Sequence, residues 1–135
     1  MNFELACLED FNEIENLYWD LIGKSKEEPS FPDWKKGVHP SADFLMAGIV
    51  QKELFVLRDV RYESRGMGLA TQFVKNLISY AKLENIEAIH LDVIDKNTLA
   101  DKLYIRAGFK YVSTENIFYE VVGNRQFRMY EYVIE

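Results

Sequence analysis

Apolar residues recur at helical spacing in four parts of the chain. The clearest part begins at Leu69, where one apolar stripe runs over more than three turns: Leu69, Ala70, Phe73, Val74, Leu77, Ile78 and Ala81. Such a stripe predicts an amphipathic helix that packs one face against a core. Shorter patterns of the same period predict further helices after Asp10, from Ser41 and after Asn97.

Runs rich in apolar and β-branched residues lie between these helices and predict strands. They are Phe3–Leu8, Leu54–Val60, Ile86–Ile94, Lys110–Val122 and Gln126–Ile134. Because residues 86–94 are nearly all apolar, we expect that strand to be covered on both faces. Gly123-Asn124 favours a hairpin between the last two strands. The predicted order is strand, helix, helix, strand, helix, strand, helix, strand, strand, which indicates a mixed α/β fold.

Length and charge narrow the possible classes of function. The chain has 135 residues, so we predict a single domain over residues 1–135. Its 16 Lys and Arg face 22 Asp and Glu, and a net charge of −6 argues against nucleic acid or an anionic membrane as a partner. Cys7 is the single cysteine, which favours a reducing, cytoplasmic location. A membrane span is not expected, because no apolar run approaches the roughly 18–20 residues that a bilayer requires. A signal peptide is not expected either, because the N-terminus is acidic and has no basic region followed by an apolar stretch.

The segment Arg65-Gly66-Met67-Gly68 lies between a predicted strand and the helix that begins at Leu69. A helix N-terminus carries unpaired backbone N–H groups and a partial positive charge, and glycines let an anion approach them closely. The turn is therefore a candidate phosphate or pyrophosphate site; the alternative is a tight connection with no ligand. The dinucleotide fingerprint and the P-loop are both excluded, because the first needs a third glycine and the second needs Gly-Lys-Ser/Thr.

This turn resembles a known family motif. Arg65–Ala70 (RGMGLA) fits the Arg/Gln-x-x-Gly-x-Gly/Ala acetyl-CoA motif of the GCN5-related N-acetyltransferases (GNAT). Leu91–Val93, Asn97, Tyr104 and Gly108-Phe109 follow in the family's order. The resemblance implies a GNAT-like (acyl-CoA N-acyltransferase) α/β fold, in which helices flank a mixed central sheet.

One departure from the family lies before the glycine turn. Members usually have a hairpin and part of another strand there, whereas Lys52–Val60 runs almost directly into the turn. We therefore expect a sheet shortened by about two strands of ordinary length. Leu54–Val60 stands in for either the early hairpin or the strand beside the cofactor, and its position next to the turn favours the second. A bare sheet edge would also favour a homodimer.

The resemblance implies that acetyl-CoA is the co-substrate. Backbone N–H groups of the turn would hold its pyrophosphate; the residues are Arg65, Gly66, Met67, Gly68, Leu69 and Ala70. The backbone of Val60 would pair with the pantetheine arm. Asn97 would hydrogen-bond the same arm; its alternative role is a helix N-cap, and the two roles are compatible.

The resemblance further implies transfer of an acetyl group to a primary amine of a small molecule or protein, by direct attack in a ternary complex. Tyr104 would be the general acid, because a phenol with a pKa of about 10 can protonate the departing thiolate. Its alternative is a core aromatic beside Leu103. Asp59 is the candidate base, with a salt bridge to Arg58 or Arg61 as its alternative.

Other residues are weaker candidates for a role in catalysis or substrate binding. Asp92 is a second candidate base, because its otherwise apolar strand predicts a buried carboxylate that needs a partner. Phe118, Tyr119 and Tyr130 either fill the core or line the acceptor pocket. No His, Cys and Asp spacing predicts a metal site.

A second function remains open from the sequence. The missing strands favour a CoA-binding or dimerisation module without turnover, whereas Asn97 and Tyr104 favour an enzyme. If the chain is an enzyme, its acidic balance favours a cationic acceptor, such as a polyamine, an aminoglycoside or a lysine side chain.

Overall fold

A computed structural model describes residues 2–24, 34–58, 68–120 and 123–135. The elements follow the predicted order, with one additional 3-10 turn at Leu8–Asp10, and they confirm the mixed α/β class. Their bounds are β1 Asn2–Leu5, α1 Phe11–Lys24, α2 Ala42–Val50, β2 Phe55–Arg58, α3 Leu69–Leu83, β3 Ala88–Ile94, α4 Thr98–Arg106, β4 Lys110–Tyr119 and β5 Gly123–Val133.

The chain divides into two compact units. The first comprises Met1–Val60 with Glu120–Val122, and the second comprises Arg61–Tyr119 with Gly123–Glu135. The first holds the antiparallel pair β1-β2 with α1 and α2, and the second holds the sheet β3-β5-β4 with α3 and α4. Whether residues 1–135 behave as a single domain remains a prediction.

The core of the first unit lies between the β1-β2 pair and helices α1 and α2. Leu45 and Ile49 of α2 and Ile14 of α1 are buried together with Ala6. Ser41 caps α2, because its hydroxyl accepts a hydrogen bond from the backbone N–H of Phe44 at 3.1 Å. β2 uses one edge to pair with β1, from Leu5 opposite Phe55 to Asn2 opposite Arg58.

Asp10 is a buried carboxylate in this unit. Arg58 donates to both of its oxygens, at 2.8 and 2.6 Å, and the backbone N–H of Cys7 donates to Oδ2 at 2.9 Å. These hydrogen bonds, that of Arg58 above all, hold the pKa of Asp10 well below its usual range. Arg58 also contacts Glu4 at 3.1 Å. The strand end is thus tied to the turn that precedes α1.

In the second unit, β5 is the central strand and pairs antiparallel with both neighbours. The predicted stripe of α3 packs onto this sheet, where Val74, Ile78 and Ala81 are buried. The expectation that β3 is covered on both faces is wrong, because His90 and Asp92 are exposed. An antiparallel sheet can present one face to solvent, and β3 alternates accordingly.

Among the helices within the described ranges, none combines the length and apolar character needed to cross a bilayer.

Leu45 tests the first core. The side chain is 1% exposed, so Leu45→Ala removes buried methyl groups and leaves a cavity. We expect a loss of about 2–5 kcal/mol in the free energy of unfolding, measured by urea denaturation. Val50 of the same helix is 65% exposed, and Val50→Ala should stay within about 0.5 kcal/mol of the parent. Equal losses in both variants would contradict the assigned burial.

Asp10 should make stability depend on pH. Its pKa is lowered in the folded state, so its contribution is present above the unfolded pKa of about 4 and decreases as the pH falls below that value. The urea midpoint of the parent should therefore decrease more steeply than that of Asp10→Asn between about pH 5 and pH 2. Asp20→Asn, an exposed site in α1, should retain the parental slope. Parallel slopes for parent and Asp10→Asn would refute the coupling.

Candidate functional site

Gly68 begins the described part of the predicted phosphate turn. It is the N-cap of α3, with φ +74° and ψ 21°, a left-handed conformation that favours glycine. Its carbonyl accepts the first intrahelical hydrogen bond, from Gln72 N–H at 2.9 Å. Among the described residues, no side chain caps this end of the helix, and its first turn has no acidic residue. Backbone N–H groups of Leu69 and Ala70 are therefore candidates to bind an anion.

The remaining predicted turn residues lie outside the described ranges. These are Arg65, Gly66 and Met67, together with the predicted cofactor and base positions Val60 and Asp59. Their roles stay predictions. Arg58, one of the two alternative partners predicted for Asp59, forms ion pairs with Asp10 and Glu4. The other, Arg61, lies outside the described ranges.

Asn97 is the N-cap of α4. Its Oδ1 accepts a hydrogen bond from the backbone N–H of Ala100 at 3.1 Å, so the capping role is observed. This contact uses the carbonyl oxygen of the side-chain amide and leaves the two N–H donors of the amide for another partner. Capping and ligand binding are therefore compatible at this residue.

Tyr104 lies on α4, half-buried against the core of the second unit. Its ring meets Phe109 edge-on, with 5.5 Å between centroids. Partial burial, and secondly the negative charge of Asp92, raise its pKa. A phenol is protonated at neutral pH, as a general acid must be, and the raised pKa of Tyr104 preserves that state. Packing and proton donation can thus coexist.

Asp92 lies on the exposed face of β3, which corrects the expectation of a buried carboxylate. Its Oδ2 accepts a hydrogen bond from the hydroxyl of Tyr119 at 3.1 Å. Burial, followed by Asp92, raises the pKa of Tyr119 as well. The carboxylate therefore acts electrostatically on two phenols, one on α4 and one at the end of β4.

Arg128 of β5 anchors α4 to the sheet, a role that was not predicted from the sequence. It forms ion pairs with Asp95 and with Asp101 in the first turn of α4. Tyr130 donates to Asp101 Oδ1 at 2.8 Å. Tyr130 is therefore a core residue rather than a pocket residue. The spacing of Arg128 and Tyr130 on one strand face was the available clue, but it names no partner.

Other polar groups and cavities do not add to this site. His90 contacts Glu131 at 2.8 Å on the exposed face of the sheet. Across the described ranges, no group of three His, Cys, Asp or Glu side chains could hold a metal ion. Two surface cavities of about 330 and 310 Å³ are lined by neither Asn97 nor Tyr104.

Gly68 provides a test of the turn. Since no described atom beyond its chain neighbours lies within 4 Å of the place that a Cβ would take, Gly68→Ala should cost only backbone strain, about 1–2 kcal/mol in unfolding free energy. Gly48 is the matched control inside α2, where an added Cβ makes an ordinary 3.6 Å contact. Gly48→Ala should be neutral or stabilising by up to about 1 kcal/mol. A neutral Gly68→Ala in thermal and urea unfolding would contradict the left-handed conformation.

A protein-family model matches the middle part of the chain. Residues 59–109 match the model of the acetyltransferase (GNAT) family. No curated protein sequence matches the chain. The matched segment contains the turn, α3, β3 and α4.

Solved structures share the fold. A GNAT-family acetyltransferase from Streptococcus agalactiae superposes with a TM-score of 0.79 at 15% identity, over 99% of this chain and 95% of that one. An N-acetyltransferase from Staphylococcus aureus gives 0.69 at 20% identity, over 100% of both chains. A spermidine N-acetyltransferase from Vibrio cholerae, in complex with CoA and spermine, gives 0.69 at 17% identity, over 98% and 95%. The family match over residues 59–109 and the shared fold together confirm the resemblance to the GNAT acetyltransferase family.

Proposed function

We propose that this protein transfers an acetyl group from acetyl-CoA to a primary amine of a small molecule or a protein, by direct attack in a ternary complex. The observation that carries the proposal is Tyr104. It lies within the segment that matches the family and is half-buried on α4. The amine acceptor, the order of events and the residue roles below are all parts of this proposal.

The start of α3 would bind the pyrophosphate. Gly68 gives this helix an N-terminus that no described side chain caps, and the first turn carries no negative charge to repel an anion. The predicted turn, residues 65–70, would supply its backbone N–H groups. Val60 would pair its backbone with the pantetheine arm, and the amide donors of Asn97 would bind the same arm. These donors suit acetyl-CoA, which when bound supplies an activated thioester carbonyl.

Tyr104 would hold the proton that the departing thiolate needs. Its hydroxyl is protonated at neutral pH, as a phenol with an ordinary pKa of about 10 already is, and burial and Asp92 raise that pKa further. The attacking amine must first lose a proton, since an alkylammonium has a pKa of about 10.4. Asp59 remains the predicted base, and Asp92, exposed on β3, is the second candidate. Backbone N–H groups would polarise the carbonyl.

The acceptor is proposed to be cationic. A net charge of −6 favours a positively charged substrate over an anionic one. The Vibrio cholerae neighbour, whose structure contains CoA and spermine, is consistent with such an acceptor. A cytoplasmic location and the absence of a metal requirement belong to the same proposal.

In a second candidate function, the protein has the same fold but catalyses no reaction. The chain would then be a CoA-binding or dimerisation module. The short interval between α2 and the glycine turn favours it, since the described part of that interval contains β2 alone.

Tyr104→Phe tests the proposed acid. The variant keeps the ring that packs on Phe109 and removes only the hydroxyl. We expect kcat to fall by about 10²–10⁴-fold with little change in the KM for acetyl-CoA, measured as free thiol released in the presence of spermidine. Tyr111→Phe is the control, because Tyr111 lies on β4 and is 56% exposed.

The same assay separates the two functions. An unchanged kcat in Tyr104→Phe would leave Tyr104 as a packing residue. If the parent acetylates no amine but acetyl-CoA still raises its melting temperature, the binding module is the correct function.

A further inference from the structure

Tyr119 contacts Asp92 across a strand that lies between them. The Tyr119 hydroxyl donates to Asp92 Oδ2 at 3.1 Å. Asp92 belongs to β3 and Tyr119 to β4, yet the strand order is β3-β5-β4. The two strands are therefore not neighbours, and the contact depends on how the β4-β5 hairpin is shaped.

The register shows that this hairpin bends back. Asp92 lies opposite Met129 of β5, whereas Tyr119 lies opposite Gly123. Six residues separate these two positions along β5, which is about 20 Å in a straight strand. A tyrosine side chain is much shorter than that, so the ribbon must curve over the exposed face of β3. The register shift between Tyr111 and Ser113 provides one irregularity in the pairing, of the kind that bends a strand.

Packing holds the curved end in this position. The ring of Tyr119 meets that of Phe127 edge-on, with 5.2 Å between centroids. Phe127 pairs with Ile94 of β3 and Glu115 of β4, so it lies at the end of β3, beyond which β5 pairs with β4 alone. The aromatic contact therefore aims the Tyr119 hydroxyl at Asp92.

The resulting surface brings the carboxylate of Asp92 together with the rings of Tyr119 and Phe127, and it is exposed to solvent at Asp92 and Tyr119. Tyr119 is 42% exposed and Asp92 is exposed. Tyr119 donates to only one carboxylate oxygen, so Oδ1 remains able to accept from a further donor. An ammonium group suits this arrangement, because the carboxylate gives charge and the ring faces give cation–π attraction.

We propose that Tyr119 is a positioning residue of the acceptor site, which fixes the Asp92 carboxylate so that it binds the ammonium group of the amine. This inference rests on the proposed function for its substrate. The negative charge of Asp92 also raises the pKa of Tyr104, so this carboxylate acts electrostatically on the proposed acid as well as on Tyr119. The end of the β4-β5 hairpin would thus help to recognise the amine, and Tyr104 of α4 would donate the proton.

Tyr119→Phe is the first test. It keeps the ring that packs on Phe127 and removes the hydroxyl that holds Asp92. We expect the KM for spermidine to rise about tenfold while the KM for acetyl-CoA stays within about twofold, because a hydrogen bond to a charged group is lost on the amine side only. Tyr111→Phe is again the matched control; it removes a hydroxyl that contacts Thr114 on the same strand and should leave both constants unchanged.

Asp92→Asn completes a double-mutant cycle. If Tyr119 acts through Asp92, adding Tyr119→Phe to Asp92→Asn should raise the KM for spermidine no further. Additive effects, or an unchanged KM in Tyr119→Phe alone, would overturn the inference. Melting temperatures of all variants check that a change in KM does not reflect unfolding.

Calorimetric binding separates this inference from the proposed function. Spermidine, n-butylamine and neutral n-butanol are titrated into the protein with CoA present. If the parent shows no turnover but binds both amines, and Tyr119→Phe weakens amine binding about tenfold, the proposed function fails and the inference stands. If the parent binds neither amine, or binds n-butanol equally well, the inference fails.

Discussion

The position of α4 depends on one arginine. Arg128 sits on β5, the strand shared by both pairings of the sheet, and its guanidinium binds Asp101 on α4 and Asp95 in the turn before it. A planar guanidinium with several donors can bind two carboxylates in fixed directions, which an ammonium does less well. Since Asn97 caps this helix and Tyr104 lies one turn beyond Asp101, both take their places from this ion pair.

The first unit contains the same kind of ion pair, between a strand arginine and an aspartate near the start of a helix. Arg58 from β2 binds Asp10 immediately before α1, just as Arg128 from β5 binds Asp101 in the first turn of α4. A carboxylate near a helix N-terminus is favoured by the helix dipole, and the strand arginine satisfies its remaining acceptors. Such partly buried pairs add little net stability compared with apolar residues, but removal of one partner leaves a charge without compensation. In each unit, the pair fixes a helix against a particular strand.

Local patterns in the sequence were sufficient for the elements. Periodicity predicted the buried face of α3, and the Asn97 cap followed from residue type and position. The exposure of Asp92 was not predictable in this way, because an apolar run is the same whether its strand is covered on one face or two. The partners of Arg58 and Arg128 were also hidden, since residues 48 and 27 positions away in sequence meet only after the strands have paired. Tyr130 fitted a core or a pocket equally well until Asp101 was found beside its hydroxyl.

Because the β4-β5 hairpin is curved, the number of residues in its strands determines whether the Tyr119 hydroxyl reaches Asp92. Surface turns normally tolerate insertions and deletions, because little depends on where the tip ends. Here, adding one residue to each strand near Ile117 and Arg125 would preserve the existing pairs, yet it would turn the Tyr119 side chain to the opposite face of the hairpin, away from Asp92. A difference of two residues in this hairpin would therefore remove the hydrogen bond between Tyr119 and Asp92, although an alignment would record it only as a gap.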